Sequence, residues 1–242
     1  VGRQVLFAKD VFLGYICPKK YIFMSIFRDW TRDKLKERFG LKRVPNHPIL
    51  LDWLEQASPI EVDAYEEETL RRWREQMLLY VDYWSEDELK MKFIGNIITL
   101  VNYDTEELSA FANRALDGTV DGEYISGIPD FMVARGKQEV KSPFFCLHEY
   151  KKELDNNSPD PAAQCLVAML VAQQKNLDTP QMAGKPLYGS YVIGRNWFFL
   201  ILDGLEYSIS KAFDATDSDD LIKVLKVLKV CKNKIFDIWE KP

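Results

Sequence analysis

The chain has only two histidines, His47 and His148, and this scarcity argues against histidine-dependent hydrolase chemistry. Its four cysteines, Cys17, Cys146, Cys165 and Cys231, are scattered among apolar neighbours without zinc spacing, so they read as reduced core thiols. No run approaches the roughly 18 consecutive apolar residues of a membrane helix. A glycine-rich phosphate loop is missing too, so any ATP-driven motor activity would have to come from a partner. Lys9-Asp10 follows directly on Val5-Leu6-Phe7-Ala8, which breaks the tripartite pattern of a signal peptide, although Val rather than Met at residue 1 leaves open a leader removed upstream. The expectation is a cytoplasmic protein that does not engage membranes.

What remains describes an ordinary globular chain. At 242 residues, 47% hydrophobic and 29% charged, it has the material for one large domain or for one domain with an extension. The net charge of −5 weighs mildly against nucleic-acid binding by bulk electrostatics. Local basic clusters at Lys19-Lys20, Lys34 to Arg38 and Lys42-Arg43 are either solvated faces or the lining of a groove.

Residues 1 to about 30 are apolar and aromatic, and Val11 to Ile16 and Tyr21 to Met24 fit strands or a buried helix equally well. Helical signals follow. Thr31 is placed to cap a helix that Gly40 ends, Pro48 opens another, and Glu66 to Tyr80 carries Leu70, Trp73, Met77 and Leu78 on one side. Residues 1–82 are therefore expected to form a mainly helical N-terminal extension, either a substrate-binding lobe or a cap on the sheet. From Ser85 a further helix begins with a capping box that gives Glu88 a structural task. Its apolar stripe is Leu89, Phe93, Ile94, Ile97, Leu100 and Val101, and Glu86 falls within that stripe. There Glu86 needs a cationic partner if buried, or stays wet beside the helix dipole.

Leu108 to Ala115 reads as a first strand, Leu116 to Thr119 and Asp121-Gly122 as turns, and Glu123 to Ser126 as the entry to a second strand bent at Gly127. Arg114 is a surface arginine or a phosphate contact. Ala162 to Gln174 forms a largely buried helix behind the loop Asp155 to Pro161. Tyr188 to Ile193 and Trp197 to Leu202 form a hairpin through Gly194-Arg195-Asn196. A last helix, Asp219 to Trp239, has Leu221, Leu225, Leu228 and Ile235 on one face. Lysines 223, 226, 229, 232 and 234 surround it, either for solubility or to track phosphates.

The stretch Gly127 to Lys152 concentrates the chemistry. Ile128 to Ala134 and Phe144 to Leu147 read as two strands, with Arg135 to Gln138 and Ser142-Pro143 as turn and loop. Asp130 opens one strand and Glu149 ends its neighbour, which can bring two carboxylates to one sheet position as a hard-cation site. Lys151 shares a strand face with Glu149 and sets an ammonium beside them. Such a cluster can orient a water, polarise a phosphate and neutralise developing charge, most of what phosphodiester hydrolysis requires. A second Glu-x-Lys, Glu139-Val140-Lys141, lacks an apolar lead-in and reads as solvated charge.

Pro129-Asp130 followed by Glu149-Tyr150-Lys151 resembles the PD-(D/E)xK signature of the restriction-endonuclease-like nuclease superfamily. The helix containing Gln164 comes next, in the order in which these nucleases are built. Ser85 to Ile94 is similar to the corresponding helix in the nuclease domain of type I restriction subunits. The resemblance spans about residues 85 to 202 and rests on four or five residues. It implies an α/β fold, a mixed central sheet flanked by helices in a nuclease-like domain over residues 83–242. The implied activity is divalent-metal-dependent hydrolysis of DNA, by the chain alone, as a homodimer or with a partner subunit. On this resemblance Asp130, Glu149 and the carbonyl of Tyr150 would bind Mg²⁺, with Mn²⁺ as a substitute. Glu86 would be a further ligand or the partner of one, and Lys151 would position the attacking water. Gln164 would help orient substrate, although the family's glutamine is followed four residues later by Tyr and here by Ala168. Two rivals stand beside it: a catalytically inactive nucleic-acid-binding or protein-interaction module on the same fold, and a coincidental motif on another α/β protein.

Overall fold

Short-range signals fix most helix ends. In the computed structural model, which describes residues 24–152 and 159–239, the Thr31 side chain accepts from the Lys34 N–H to open α1 (Arg32–Phe39), and Gly40 ends it at φ 74°. His47 caps α2 (Pro48–Glu55), whose first residue is the proline. Asp63 and Glu66 form a capping box at the start of α3 (Ala64–Tyr80). Ser85 and Glu88 form another, as expected, ahead of α4 (Glu86–Leu89). The helix then widens into a π-turn over Lys90–Ile94 and returns to α-geometry as α5 (Gly95–Val101). Val11 to Ile16, Lys19-Lys20 and Asp155 to Ser158 lie outside the described residues.

The strands are β1 (Met24–Ile26), β2 (Lys42–Arg43), β3 (Leu108–Ala112), β4 (Leu116–Val120), β5 (Glu123–Gly127), β6 (Phe131–Arg135), β7 (Lys141–Lys151), β8 (Leu187–Ile193), β9 (Asn196–Asp203), β10 (Glu206–Ile209) and β11 (Phe213–Asp214). The central sheet has the order β2-β10-β9-β8-β7-β6-β3, with β11 beside β9. It is mixed: β7 and β8 are parallel, as are β2 and β10, and the other pairs are antiparallel. A parallel pair needs a crossover, here α6 (Pro161–Asn176). A smaller sheet, β1-β5-β4, lies beyond α6. With β7 and β8 on one side and β4 on the other, α6 is buried around almost its whole circumference from Pro161 to Ala172.

The final helix, α7 (Ser218–Trp239), packs with α2, α3 and α5, and α2 lies on β9. Trp53 of α2 donates to the Val227 carbonyl at 2.9 Å and packs edge-on against Tyr188 and Phe199. Much of the lysine series on α7 has protein partners: Lys229 meets Glu66 at 2.6 Å, Lys234 meets Asp52 at 3.0 Å, and Lys232 donates to the Val101 carbonyl at 3.1 Å. The elements of residues 24–82 share one hydrophobic core with the sheet. Cys165 and Cys231 are buried thiols within it. Among the described residues no helix is long and apolar enough to cross a membrane.

Four local readings are corrected. Leu108 to Ala115 is not one strand: β3 stops at Ala112, and Asn113 takes φ 52° before β4 starts. Leu116 to Thr119 is not a turn but most of β4, while Asp121 and Gly122, both at positive φ, make the β4–β5 hairpin turn. Glu123 to Ser126 does not lead into the Asp130 strand within one sheet, because β5 belongs to the small sheet and β6 to the large one. Ser142-Pro143 likewise lies inside β7 rather than in the preceding loop.

Gly127 ends β5 where the buried Phe27 ring packs onto its backbone, and an added Cβ would come within 2.3 Å of that ring. Overpacking of this kind costs about 1–3 kcal/mol. The expected outcome for Gly127→Ala in urea denaturation is a loss of that size, relieved in the Gly127→Ala/Phe27→Leu double variant.

Candidate active site

Antiparallel pairing sets Phe131 of β6 opposite His148 of β7, so Asp130 and Glu149 occupy the next positions outward on the two strands. Alternation then separates the faces. His148 turns to one side, buried and hydrogen-bonded through Nδ1 to Ser190 Oγ. Glu149 and Lys151 share the other.

Asp130 is held by two donors from different elements. The Tyr150 N–H donates to its Oδ2 at 2.7 Å, and the Lys90 ammonium donates to its Oδ1 at 2.7 Å. Lys90 also donates to Glu86 Oε1 at 2.7 Å, one helical turn earlier. Lys151 lies 3.1 Å from Glu149 Oε1 and 3.5 Å from Glu86 Oε1. Glu86, Asp130, Glu149 and Lys151 are thus joined, with Lys90, in one network of three carboxylates and two ammonium groups. Of the two readings of Glu86, the cationic partners are present. Glu88 stands apart, pairing with Lys92 at 2.6 Å.

The electrostatics leave this network short of positive charge. Burial pushes the Glu149 carboxyl up to about 7, and the negative charge of Asp130 adds to it, while Lys151 and Lys90 pull the other way without cancelling the rise. For Lys90 burial acts downward, but the hydrogen bonds and charges of Asp130 and Glu86 outweigh it, so its pKa is raised.

Among the described residues Gln164, by contrast, does not join this network. It is buried in the first turn of α6, and its Oε1 has no hydrogen-bond donor among the described residues. Lys90 is the member that sequence reasoning missed. Its signal was the i, i+4 spacing from Glu86, which puts the pair on one helix face with the acid on the N-terminal side.

Among the described residues no three acidic, histidine or cysteine side chains converge as a ready-made metal cage. The donor chemistry nevertheless fits Mg²⁺, which is usually held by one or two carboxylates and keeps several waters. Asp130, Glu149 and the Tyr150 carbonyl are hard oxygen donors, and Glu86 stands beside them. The basic clusters are partly neutralised: Arg38 pairs with Asp121 and Glu123, and Lys42 with Glu206. Next to the site, a cleft of about 340 Å³ is lined by Lys90, Asp130, Asn102, Asp104, Asn113 and Tyr150, among others.

Because the folded-state pKa of Glu149 is raised, its ionisation opposes folding from about pH 4.5 upward and reaches its full effect above about 7. The isosteric amide escapes this penalty. In EDTA, Glu149→Gln is expected to be more stable than wild type at pH 8 by roughly 1–3 kcal/mol, even after loss of the Lys151 pair. That gain should fade as the pH falls towards 4.5, as followed by thermal denaturation across the range. Compared with known proteins, the chain matches no protein-family model and no curated protein.

Proposed function

We propose that this chain is a divalent-metal-dependent nuclease hydrolysing phosphodiester bonds of DNA, on a restriction-endonuclease-like arrangement in residues 83–242 with residues 1–82 as its extension. The observation that carries the reading is the meeting of Asp130, Glu149, Lys151 and Glu86 across two strands and a helix, in the combination that the PD-(D/E)xK resemblance implies. The element order supports it as well: the Glu86 helix, β3, the β4–β5 hairpin, β6, β7, crossover helix α6, then β8.

A bound Mg²⁺ or Mn²⁺ would polarise the phosphate and lower the pKa of a coordinated water. Asp130, Glu149 and the Tyr150 carbonyl would hold it, with Glu86 adjoining. The chain's own groups do the rest. The Tyr150 N–H fixes the orientation of Asp130. Lys151, anchored between Glu149 and Glu86, presents an ammonium that can donate to the attacking water and to a phosphate oxygen as negative charge develops. His47 caps α2 and His148 is buried with a pKa lowered to about 3 by desolvation, so proton transfer falls to the carboxylates and lysines. Gln164 offers a buried acceptor that could meet a donor from substrate or from a neighbouring segment. The buried thiols Cys165 and Cys231 support a reducing, cytoplasmic setting.

A non-catalytic nucleic-acid-binding or protein-interaction module on the same fold is the second reading. One observation favours it: Lys90 already neutralises Asp130. Cleavage assays on single-stranded, duplex and branched DNA, and on RNA, separate the two. Wild type with Mg²⁺ or Mn²⁺ is expected to cut DNA, and EDTA to stop it. Asp130→Ala and Lys151→Ala are each expected to lower the rate at least 100-fold, the order of loss seen when a charge-stabilising group is removed. Binding without cutting in every metal would instead establish the inactive module.

A further inference from the structure

Lys90 occupies a position that the catalytic reading does not use. Its ammonium spans Glu86 Oε1 and Asp130 Oδ1, 2.7 Å from each, and so joins the helix to the start of β6 with a positive charge. The reading above assigns Asp130 to the metal and sets Glu86 beside it. An ammonium between two carboxylates satisfies the same demand that a hard cation would, with donors fixed to the chain. The two cannot share Asp130 Oδ1 without bringing like charges together.

We propose that Lys90 is a tethered counter-ion that holds the site in its metal-free form and competes with the divalent cation for Asp130 and Glu86. The inference rests on the metal-dependent reading and adds a control on it. Three features fit the task. First, Lys90 opens the π-turn, so it sits where the helix departs from regular geometry, and such bulges are frequent at functional sites. Second, a lysine offers a compact charge on a flexible four-carbon stem and can leave without disturbing the helix backbone. Third, the adjoining cleft of about 340 Å³ is bordered by Lys90 itself and carries Asn102, Asn113 and Asp104, polar groups able to receive a displaced ammonium. Lys151 is placed differently. It approaches Glu149 and Glu86, and no ion pair with Asp130 is formed by it. Loss of Lys90 and loss of Lys151 should therefore differ in their effect on metal binding.

Isothermal titration of MgCl₂ and of MnCl₂ into the full chain tests this, with wild type, Lys90→Gln, Lys90→Arg and Asp130→Asn compared. Lys90→Gln is expected to bind the metal about tenfold more tightly, Lys90→Arg to stay close to wild type, and Asp130→Asn to lose binding. Thermal melting gives a second readout that needs no turnover. In EDTA, Lys90→Gln should melt below wild type because Asp130 loses its ammonium partner and Glu86 one of its two, and Mg²⁺ should raise its melting temperature by more than it raises that of wild type. Unchanged or weaker binding by Lys90→Gln, with wild type binding through Asp130, overturns the proposal and leaves the metal-dependent reading standing. If neither wild type nor Lys90→Gln binds either metal, both fall.

Discussion

The carboxylate of Asp130 is the point on which the site turns. One oxygen accepts from the backbone of Tyr150 on the neighbouring strand, and the other from Lys90 on the preceding helix. Two hydrogen bonds to a mostly buried carboxylate thus lock together β6, β7 and the helical stretch from Glu86 to Val101. A buried carboxylate is tolerated only when its charge is met by donors, and breaking such a pair by removing one partner costs far more than an exposed ion pair is worth. The fold therefore depends on the same group that the chemistry would use.

Around that point charge is left unbalanced. Three carboxylates face two ammonium groups, and Glu149 sits deepest, its carboxyl raised by burial and by Asp130. A structural network has no reason to retain this excess, since a neutral isostere at Glu149 would relieve it. A site that takes up a cation has such a reason, because the strain of like charges is released on binding. The position of Lys90 moderates the same tension from within the chain, so that on the proposed metal-dependent reading metal uptake would be an exchange of one cation for another.

Much of this is legible in the residues. The helix caps at Thr31 and Ser85 are read from local hydrogen-bonding chemistry, and the β8–β9 hairpin from its Gly194-Arg195 turn, because those features involve neighbours in sequence. The placing of Asp130 and Glu149 on adjacent strands follows from two apolar runs and the turn between them. Less visible is the second sheet. Gly118 gives β4 the look of a turn, yet its missing side chain lets the strand approach α6, where a Cβ would lie 3.1 Å from Val171. That requirement is tertiary and leaves no local mark. Lys90 is hidden for a similar reason: its spacing from Glu86 is plain, but its bond to Asp130 depends on where the helix lands on the sheet. For Gln164 the helix is evident and its burial follows, while the partner of its side-chain oxygen does not.

On the proposed reading, Asp130 and Glu149 form a cation site from which Lys90 withdraws. A crystal structure of the full chain grown with Mn²⁺, with anomalous diffraction recorded at the manganese edge, tests it most directly. The expected result is an anomalous peak within coordination distance of Asp130 and Glu149, with Lys90 no longer bridging Asp130 and Glu86. A site without manganese at saturating metal, with Lys90 still on both carboxylates, would contradict the account and leave the network as a structural clamp.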